Sequence, residues 1–322
     1  MRELLRGFRK IEPINRIIRA SLKLIPLWTS QLFQDLQKRW PTYGWTSCEF
    51  KGMKFKMYNA CDDGLIYYFY YKIKYHEDSD LSLFAELSKS SVCAFDIGAN
   101  TGLFTIVSSL ANPQLKIYAF EPYIVNVDRL KMNLKANGIE NVKIVNEALG
   151  DNIGNLEIAV PKDKSITSVA SANHPFTKSI HPDLEWVTTT VNSNTIDNFR
   201  AKLSQPVDLI KCDVETFEMA VFKGAYNILK TDRPTIIFEC FLDNERKEFF
   251  NGILDTFDYF LYLILEEGIV YYKDGFPEIN YGLNFLITPV RPNRNFISYK
   301  QTELIRTEIL LRPTKAITNG GR

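Results

Sequence analysis

The sequence carries no surplus of charge, no paired cysteine spacing, no long apolar run and no repeat, and each absence narrows what the chain can be. Its 39 basic and 38 acidic residues leave a formal charge of +1 over 322 residues. That argues against nucleic acid as a partner, because phosphate recognition needs a basic stripe interleaved with aromatics. Five cysteines is an odd number, and Cys93, Cys212 and Cys240 sit in apolar runs without C-x-x-C spacing. A disulfide scaffold or zinc site is therefore not expected, and a reducing, cytoplasmic setting fits best. The longest uncharged stretch, 97–115, contains Gly98, Asn100, Gly102, Asn112 and Pro113, which suit a turn and a helix start rather than a membrane span. No signal peptide is expected, since Arg6, Arg9, Lys10, Arg16, Arg19 and Lys23 interrupt the early apolar residues. What remains is 45% hydrophobic and 13% aromatic. That is enough for a bulky core in about two domains, or one large α/β domain with extensions, at roughly 150 residues per domain.

Residues 1–40 form a compositional zone of their own. Before residue 30, seven basic residues face Glu3 and Glu12, a local charge of +5. Ile14, Ile17, Ile18, Leu22 and Ile25 recur at helical spacing opposite Asn15, Arg16, Arg19 and Lys23, which predicts a basic amphipathic helix. Such a helix packs on the body, on a second copy of the chain, or peripherally on a membrane surface. Residues 41–90 read as a strand-rich lead-in. Phe50, Met53, Phe55 and Met57 interleave with Lys51, Lys54 and Lys56, the run Tyr67 to Tyr75 is β-prone and aromatic, and Leu81 to Leu87 reads as a short helix.

Residues 91–290 alternate short apolar runs with helical periodicity, as a doubly wound, mostly parallel sheet with helices on both faces requires. The predicted parallel strands are Val92 to Ile97, Lys116 to Glu121, Val142 to Glu147, Val207 to Asp213 and Thr235 to Cys240, with Tyr259 to Leu265 and Leu283 to Thr288 as two more strands. An insertion after the third strand carries strand-like Asn155 to Val160 and Trp186 to Val191. Residues 291–322 are left as a C-terminal tail.

Asp96, Glu121, Asp213 and Glu239 fall at or near the carboxyl ends of four of these strands. In an open parallel sheet those ends form the ligand crevice, so four separate segments bring carboxylates to one volume. The first strand runs into Asp96-Ile97-Gly98-Ala99-Asn100-Thr101-Gly102, where the glycines allow a tight turn and a close backbone approach before a helix N-terminus. Nineteen residues beyond Gly102, Glu121 is placed to accept hydrogen bonds from ribose hydroxyls. The third glycine of a dinucleotide fingerprint is missing. An acid at Asp96 also suits the cationic amino-acid end of S-adenosylmethionine better than a diphosphate. Glu147 and Ala148 follow the third strand, where a side-chain oxygen and a backbone N–H can reach adenine, with Asn146 as the neighbouring candidate.

The segments A-F-D-I-G-A-N-T-G at 94–102, A-F-E-P at 119–122, A-L-G-D at 148–151, V-D-L-I-K-C-D-V-E at 207–215, F-E-M-A-V-F-K-G-A at 217–225 and P-T-I-I-F-E at 234–239 resemble, in order and spacing, the FkbM family of class I S-adenosylmethionine-dependent methyltransferases. The resemblance runs from Tyr75 to Pro289. It implies a Rossmann-like, seven-stranded sheet with its last strand antiparallel, and O-methylation of a sugar, glycan or natural-product hydroxyl. It also implies that Asp96, Gly98, Asn100 and Gly102 line the methionine end of the cofactor and that Glu121 holds the ribose. One departure is Thr216, which stands where the family usually has glycine.

Methyl transfer needs the acceptor oxygen behind the methyl group and its proton removed. Asp213 and Glu239, on adjacent strands, are the candidates: one as base, or both as oxygen ligands to a divalent cation such as Mg. A nearer alternative for Glu239 is pairing with Lys211. Glu215 reads either as a substrate contact or as a helix N-terminal acid, His174 and His181 as surface-loop residues, and Lys223 and Gly224 as a helix end or kink. Two rival functions remain: a nicotinamide-dependent oxidoreductase using the same loop and Glu121, and a non-catalytic cofactor-fold module working at a membrane through its basic helix.

Overall fold

A computed structural model of the chain describes residues 8–24, 40, 42–60, 64–71, 78–163, 171–172, 175, 184–265, 268–277, 282–291 and 301–303. Strands β3 (Cys93–Ile97), β4 (Lys116–Phe120), β5 (Val142–Val145), β9 (Leu209–Cys212) and β10 (Thr235–Phe241) form the parallel part of the main sheet. Strand β13 (Gly282–Thr288) runs antiparallel between β10 and β11 (Phe260–Leu265). The seven expected strands are therefore present in the order β5-β4-β3-β9-β10-β13-β11. Two more, β12 (Gly268–Tyr272) and β14 (Gln301–Glu303), extend the β11 edge to nine strands. Among the described residues no helix is long and apolar enough to cross a membrane.

Every residue of β3 and β9 is buried, as expected for strands covered by helices on both faces. One face carries Phe95, Ile97, Tyr118, Phe120, Ile210 and Cys212 into the largest hydrophobic cluster. There Phe199, on α6 (Ile196–Arg200), meets Phe95, Tyr118 and Phe120 edge-on, with ring centroids 4.8–5.7 Å apart. Each such pair contributes about 0.5–1.5 kcal/mol beyond its buried area. The opposite face is covered by α3 (Asp78–Ser88) and α4 (Leu103–Ala111), whose Leu83, Phe84 and Leu87 pack on Ala94, Ile117 and Leu209, with Phe104 against the same cluster. The strand order reverses between β3 and β9, and a crevice opens at such a reversal.

The insertion forms its own small sheet of β6 (Ala148–Leu149), β8 (Trp186–Asn194) and β7 (Gly154–Pro161). It packs on Tyr123 through Ile158 and Val160, beside the start of α5 (Ile124–Ala136). Between β9 and β10 the chain forms two short helices, α7 (Glu218–Lys223) and α8 (Tyr226–Thr231). A Cβ on the intervening Gly224 would lie 2.2 Å from the Gly150 carbonyl oxygen, so a close backbone contact sets the break. Helix α9 (Asn244–Phe257) starts where its N-cap, Asp243, accepts the Arg246 N–H at 2.8 Å.

The lead-in departs from expectation in two places. Strands β1 (Tyr43–Phe50) and β2 (Met53–Ala60) pair as a hairpin, but the aromatic run expected as a strand over Tyr67 to Tyr75 forms helix α2 (Gly64–Tyr71) as far as Tyr71. Tertiary packing overrides strand propensity here, since Phe69 stacks edge-on against Phe50 and Phe55 of the hairpin. The basic helix α1 (Glu12–Lys23) packs on the body, yet it turns inward its polar residues. Asn15 accepts from the Tyr43 N–H at 3.1 Å, and the Arg19 guanidinium donates to Thr46 Oγ1 at 2.9 Å, while Ile17 is exposed.

Candidate active site

Register explains how the acids meet. Asp96 is the partner of Lys211 in β9 and of Ala119 in β4, and Lys211 is the partner of Ile237 in β10. Residues two apart on a strand share a face, so Asp96, Lys211, Asp213, Glu239 and Glu121 all belong to the α4 side of the sheet, at its carboxyl edge.

Two of these charges lie within strands that are otherwise apolar and wholly buried. The Lys211 ammonium sits 3.7 Å from Asp96 Oδ1 and 3.2 Å from Asp213 Oδ2, donates to the Gly98 carbonyl at 3.2 Å, and lies 4.8 Å from the Phe104 ring centroid. Burial alone would lower its pKa, but the Asp213 and Asp96 charges outweigh that and hold it well above the ordinary lysine value. Asp96 has no exposed surface, and Thr105 Oγ1 on α4 donates to its Oδ2. Burial pushes the Asp96 carboxyl up, opposed by Lys211 and the Thr105 bond. Lys211 is the cation beside Asp96, and the same ammonium holds the Gly98 carbonyl of the loop.

The loop itself has left-handed backbone at Gly98 (φ 77°), Asn100 (φ 49°) and Gly102 (φ 96°). A Cβ on Gly98 would stand 1.8 Å from the Asp213 carbonyl oxygen, so the loop after β3 and the end of β9 touch backbone to backbone. Asn100 is among the few L-residues that take such a conformation at modest cost, and its N–H donates to Glu121 Oε2 at 2.9 Å. Glu121 Oε1 accepts the Tyr123 N–H at 2.9 Å. Burial raises the Glu121 carboxyl to about 7, against the lowering pull of the Tyr123 and Asn100 bonds. Asn133 on α5, which the sequence did not single out, ties this loop to the hairpin. It donates to the Thr101 carbonyl at 2.8 Å and accepts the Tyr58 N–H at 2.9 Å.

The remaining candidates divide. Asn146 Nδ2 donates to the carbonyls of Glu121 and Pro122, each at 2.9 Å, and lines a cavity of about 480 Å³ with Pro122, Tyr123, Val125 and the β8 residues Thr188 to Asn192. Glu147 turns instead to the insertion, where it accepts from Asn194 Nδ2 at 2.9 Å; Ala148 is buried at the start of β6. Glu239 lies level with Asp213, opposite Asn284 in β13, and is half-buried. The alternative of a Glu239–Lys211 pair does not form, since Lys211 is held by Asp96 and Asp213. His174 and His181 lie outside the described residues. Among the described residues no group of three or more His, Cys, Asp or Glu is arranged to hold a metal ion.

The residues present fit S-adenosylmethionine on two counts. The carboxylates of Asp96 and Asp213 share one ammonium, which leaves net negative charge where a sulfonium and an amino group are needed. Glu121 accepts one backbone N–H on each oxygen, with the Asn126 side chain as a further partner, and has acceptor capacity left for a ribose hydroxyl.

A mostly parallel sheet of this strand order, with a glycine-bearing loop after its first strand and acids at successive strand ends, defines the Rossmann-like class I methyltransferase fold. The Methyltransferase FkbM domain model matches residues 96–264, just over half of the 322, and the chain belongs to that family. Methyltransferase sdnD of Sordaria araneosa is 29% identical over 151 residues, covering 40% of this chain and 58% of the relative. The chain thus spans less than two thirds of that relative's length. Solved structures similar to it include methyltransferase FkbM from Methylobacillus flagellatus KT, at 16% identity and a TM-score of 0.39 over 62% of this chain and 44% of that one. Another is TYW2 of M. jannaschii in complex with AdoMet, at 15% identity and a TM-score of 0.39 over 76% of this chain and 85% of that one.

Proposed function

We propose that the protein transfers a methyl group from S-adenosylmethionine to a hydroxyl of a sugar, glycan or natural-product-like acceptor. The observation that carries this reading is the shared face of Asp96, Glu121, Lys211, Asp213 and Glu239, with the Gly98 loop pressed onto the Asp213 backbone. When bound, the cofactor supplies an electrophilic methyl carbon. The chain's own residues do the rest. Glu121 accepts the ribose hydroxyls, and the Asp96–Lys211–Asp213 group balances the cationic end. Asp213, the carboxylate at the open end of that group with a side chain 36% exposed, takes the proton from the acceptor hydroxyl as general base. Glu239 stands beside it on the next strand to orient the acceptor. A cation held by Asp213 and Glu239 is the less supported form of this reading, because Asp213 Oδ2 already faces the Lys211 ammonium at 3.2 Å.

The test is transfer of tritium from methyl-labelled S-adenosylmethionine to pools of glycans, lipids and small metabolites, with and without EDTA. Asp213→Asn is expected to lose turnover and Glu121→Ala to lose cofactor affinity. Full turnover by the Asp213→Asn enzyme removes Asp213 as base. Thermal stabilisation by NADH and not by S-adenosylmethionine replaces this reading with the oxidoreductase one.

A further inference from the structure

Directly after Asp213 the chain makes a turn that L-residues avoid. Glu215 and Thr216 have φ of 55° and 73°, two left-handed residues in succession, and Thr216 is β-branched. A branched side chain there is crowded by its own backbone, and such a conformation persists only where its surroundings over-determine it.

The surroundings are unusually specific. Glu218, the first residue of α7, is 2% exposed. Its Oε1 accepts both the Val214 N–H at 3.1 Å and the Thr216 N–H at 3.2 Å, while its Oε2 has no hydrogen-bond partner among the described residues. The turn's carbonyls are held from elsewhere: Ser171 Oγ donates to Glu215 O at 2.7 Å, and Arg246 Nη2 reaches Thr216 O at 3.5 Å. An acid that merely complements a helix N-terminus gains that interaction without leaving the surface. Burying a carboxyl with one bare oxygen is costly, and the two amides on the other oxygen are what it gains.

We propose that Glu218 is a positioning residue, a latch that holds the strained 214–216 turn and through it sets where Asp213 and Glu215 stand at the sheet edge. This rests on Asp213 being the base, but the latch is measurable without any acceptor. The bland alternative, an N-terminal acid of α7, predicts no special link between Glu218 and Thr216.

Hydrogen–deuterium exchange over residues 212–218 of the full chain separates the two, read beside calorimetric binding of S-adenosylhomocysteine. Glu218→Ala is expected to cut protection of the Val214 and Thr216 amides about tenfold or more and, because the turn carries Asp213, whose backbone meets the Gly98 loop, to weaken S-adenosylhomocysteine binding as well. Glu218→Gln keeps the accepting oxygen and is expected to keep protection. The proposal is overturned if Glu218→Gln loses as much protection as Glu218→Ala, or if Glu218→Ala leaves the protection of the Val214 and Thr216 amides unchanged. Should Glu218→Ala fail to fold, Glu218→Gln decides alone: wild-type protection supports the latch and lost protection ends it. If the exchange results hold but Asp213→Asn keeps full turnover, the base assignment fails and the latch stands as a device of the loop.

Discussion

The α-carbon of Gly98 lies directly against the carbonyl of Asp213, so that a Cβ added to it would stand 1.8 Å from that oxygen. Backbone cannot withdraw as a flexible side chain can, and φ is already 77°. Gly98→Ala therefore combines left-handed strain with displacement of the β9 end. A loss of about 2 kcal/mol or more is expected in urea unfolding, together with loss of calorimetric S-adenosylhomocysteine binding. Unchanged stability would mean that the contact is looser than this geometry.

Lys211 is buried between Asp96, which has no exposed surface, and Asp213, which is 36% exposed. Removing one partner of a buried pair leaves an uncompensated charge, which costs roughly 3–5 kcal/mol. Lys211→Met is expected to fall in that range. Adding Asp96→Asn to it is expected to recover a substantial part, because Asp96 is the partner with no exposed surface. Additive losses in the double-mutant cycle would show that the two side chains do not interact.

Stability should fall as pH rises from about 5 to 8. Burial raises both Glu121 and Glu218 to about 7 from an unfolded value near 4.5. The folded protein thus holds protons that the unfolded chain has released. The contribution of each is fully present below the unfolded value and is lost as pH climbs through the folded one, by about 3 kcal/mol per carboxyl. Unfolding free energies measured from pH 5 to 8 should show this slope, and Glu121→Gln and Glu218→Gln should each remove about half of it. Cofactor affinity should move the opposite way, rising between pH 6 and 8 as Glu121 ionises and becomes the better acceptor for ribose. A flat affinity profile would separate Glu121 from ribose binding.

Most of the parallel sheet was legible in the sequence because strands buried on both faces are written as short apolar runs, and a lone acid in such a run stands out, as Asp96 does. Of the edge additions, β12 is written as a run of the same kind, Gly-Ile-Val-Tyr-Tyr, whereas β14, Gln-Thr-Glu, carries no such run. What holds each acid was not legible either, since it depends on register: Lys211 faces Asp96 only because β3 and β9 are neighbours with those two residues aligned. Glu218 has no signature in the sequence, because what defines it is the left-handed turn whose amides it accepts. The aromatic run at Tyr67 failed for a related reason, as bulky side chains suit either a strand or a helix and the hairpin's Phe50 and Phe55 decided between them. Helix α1 was assigned correctly, but its periodicity pointed to the wrong inward face.

That inversion yields the last prediction. Arg19 is 2% exposed, donates to Thr46 Oγ1 at 2.9 Å and lies 4.7 Å from the Tyr70 ring centroid, whereas Arg16, three residues earlier on the same helix, is exposed. The two substitutions Arg19→Ala and Arg16→Ala remove the same charge from the same helix. If α1 is fastened to the hairpin through Arg19, that variant should lose about 1–3 kcal/mol from its hydrogen bond, its ring contact and its packed stem, and limited proteolysis should cut first near α1. Arg16→Ala should stay within about 0.5 kcal/mol of the parent. Equal behaviour of the two variants in unfolding and proteolysis would show that the helix is held by its apolar stripe, as its periodicity alone suggests, and that the inward guanidinium contributes nothing.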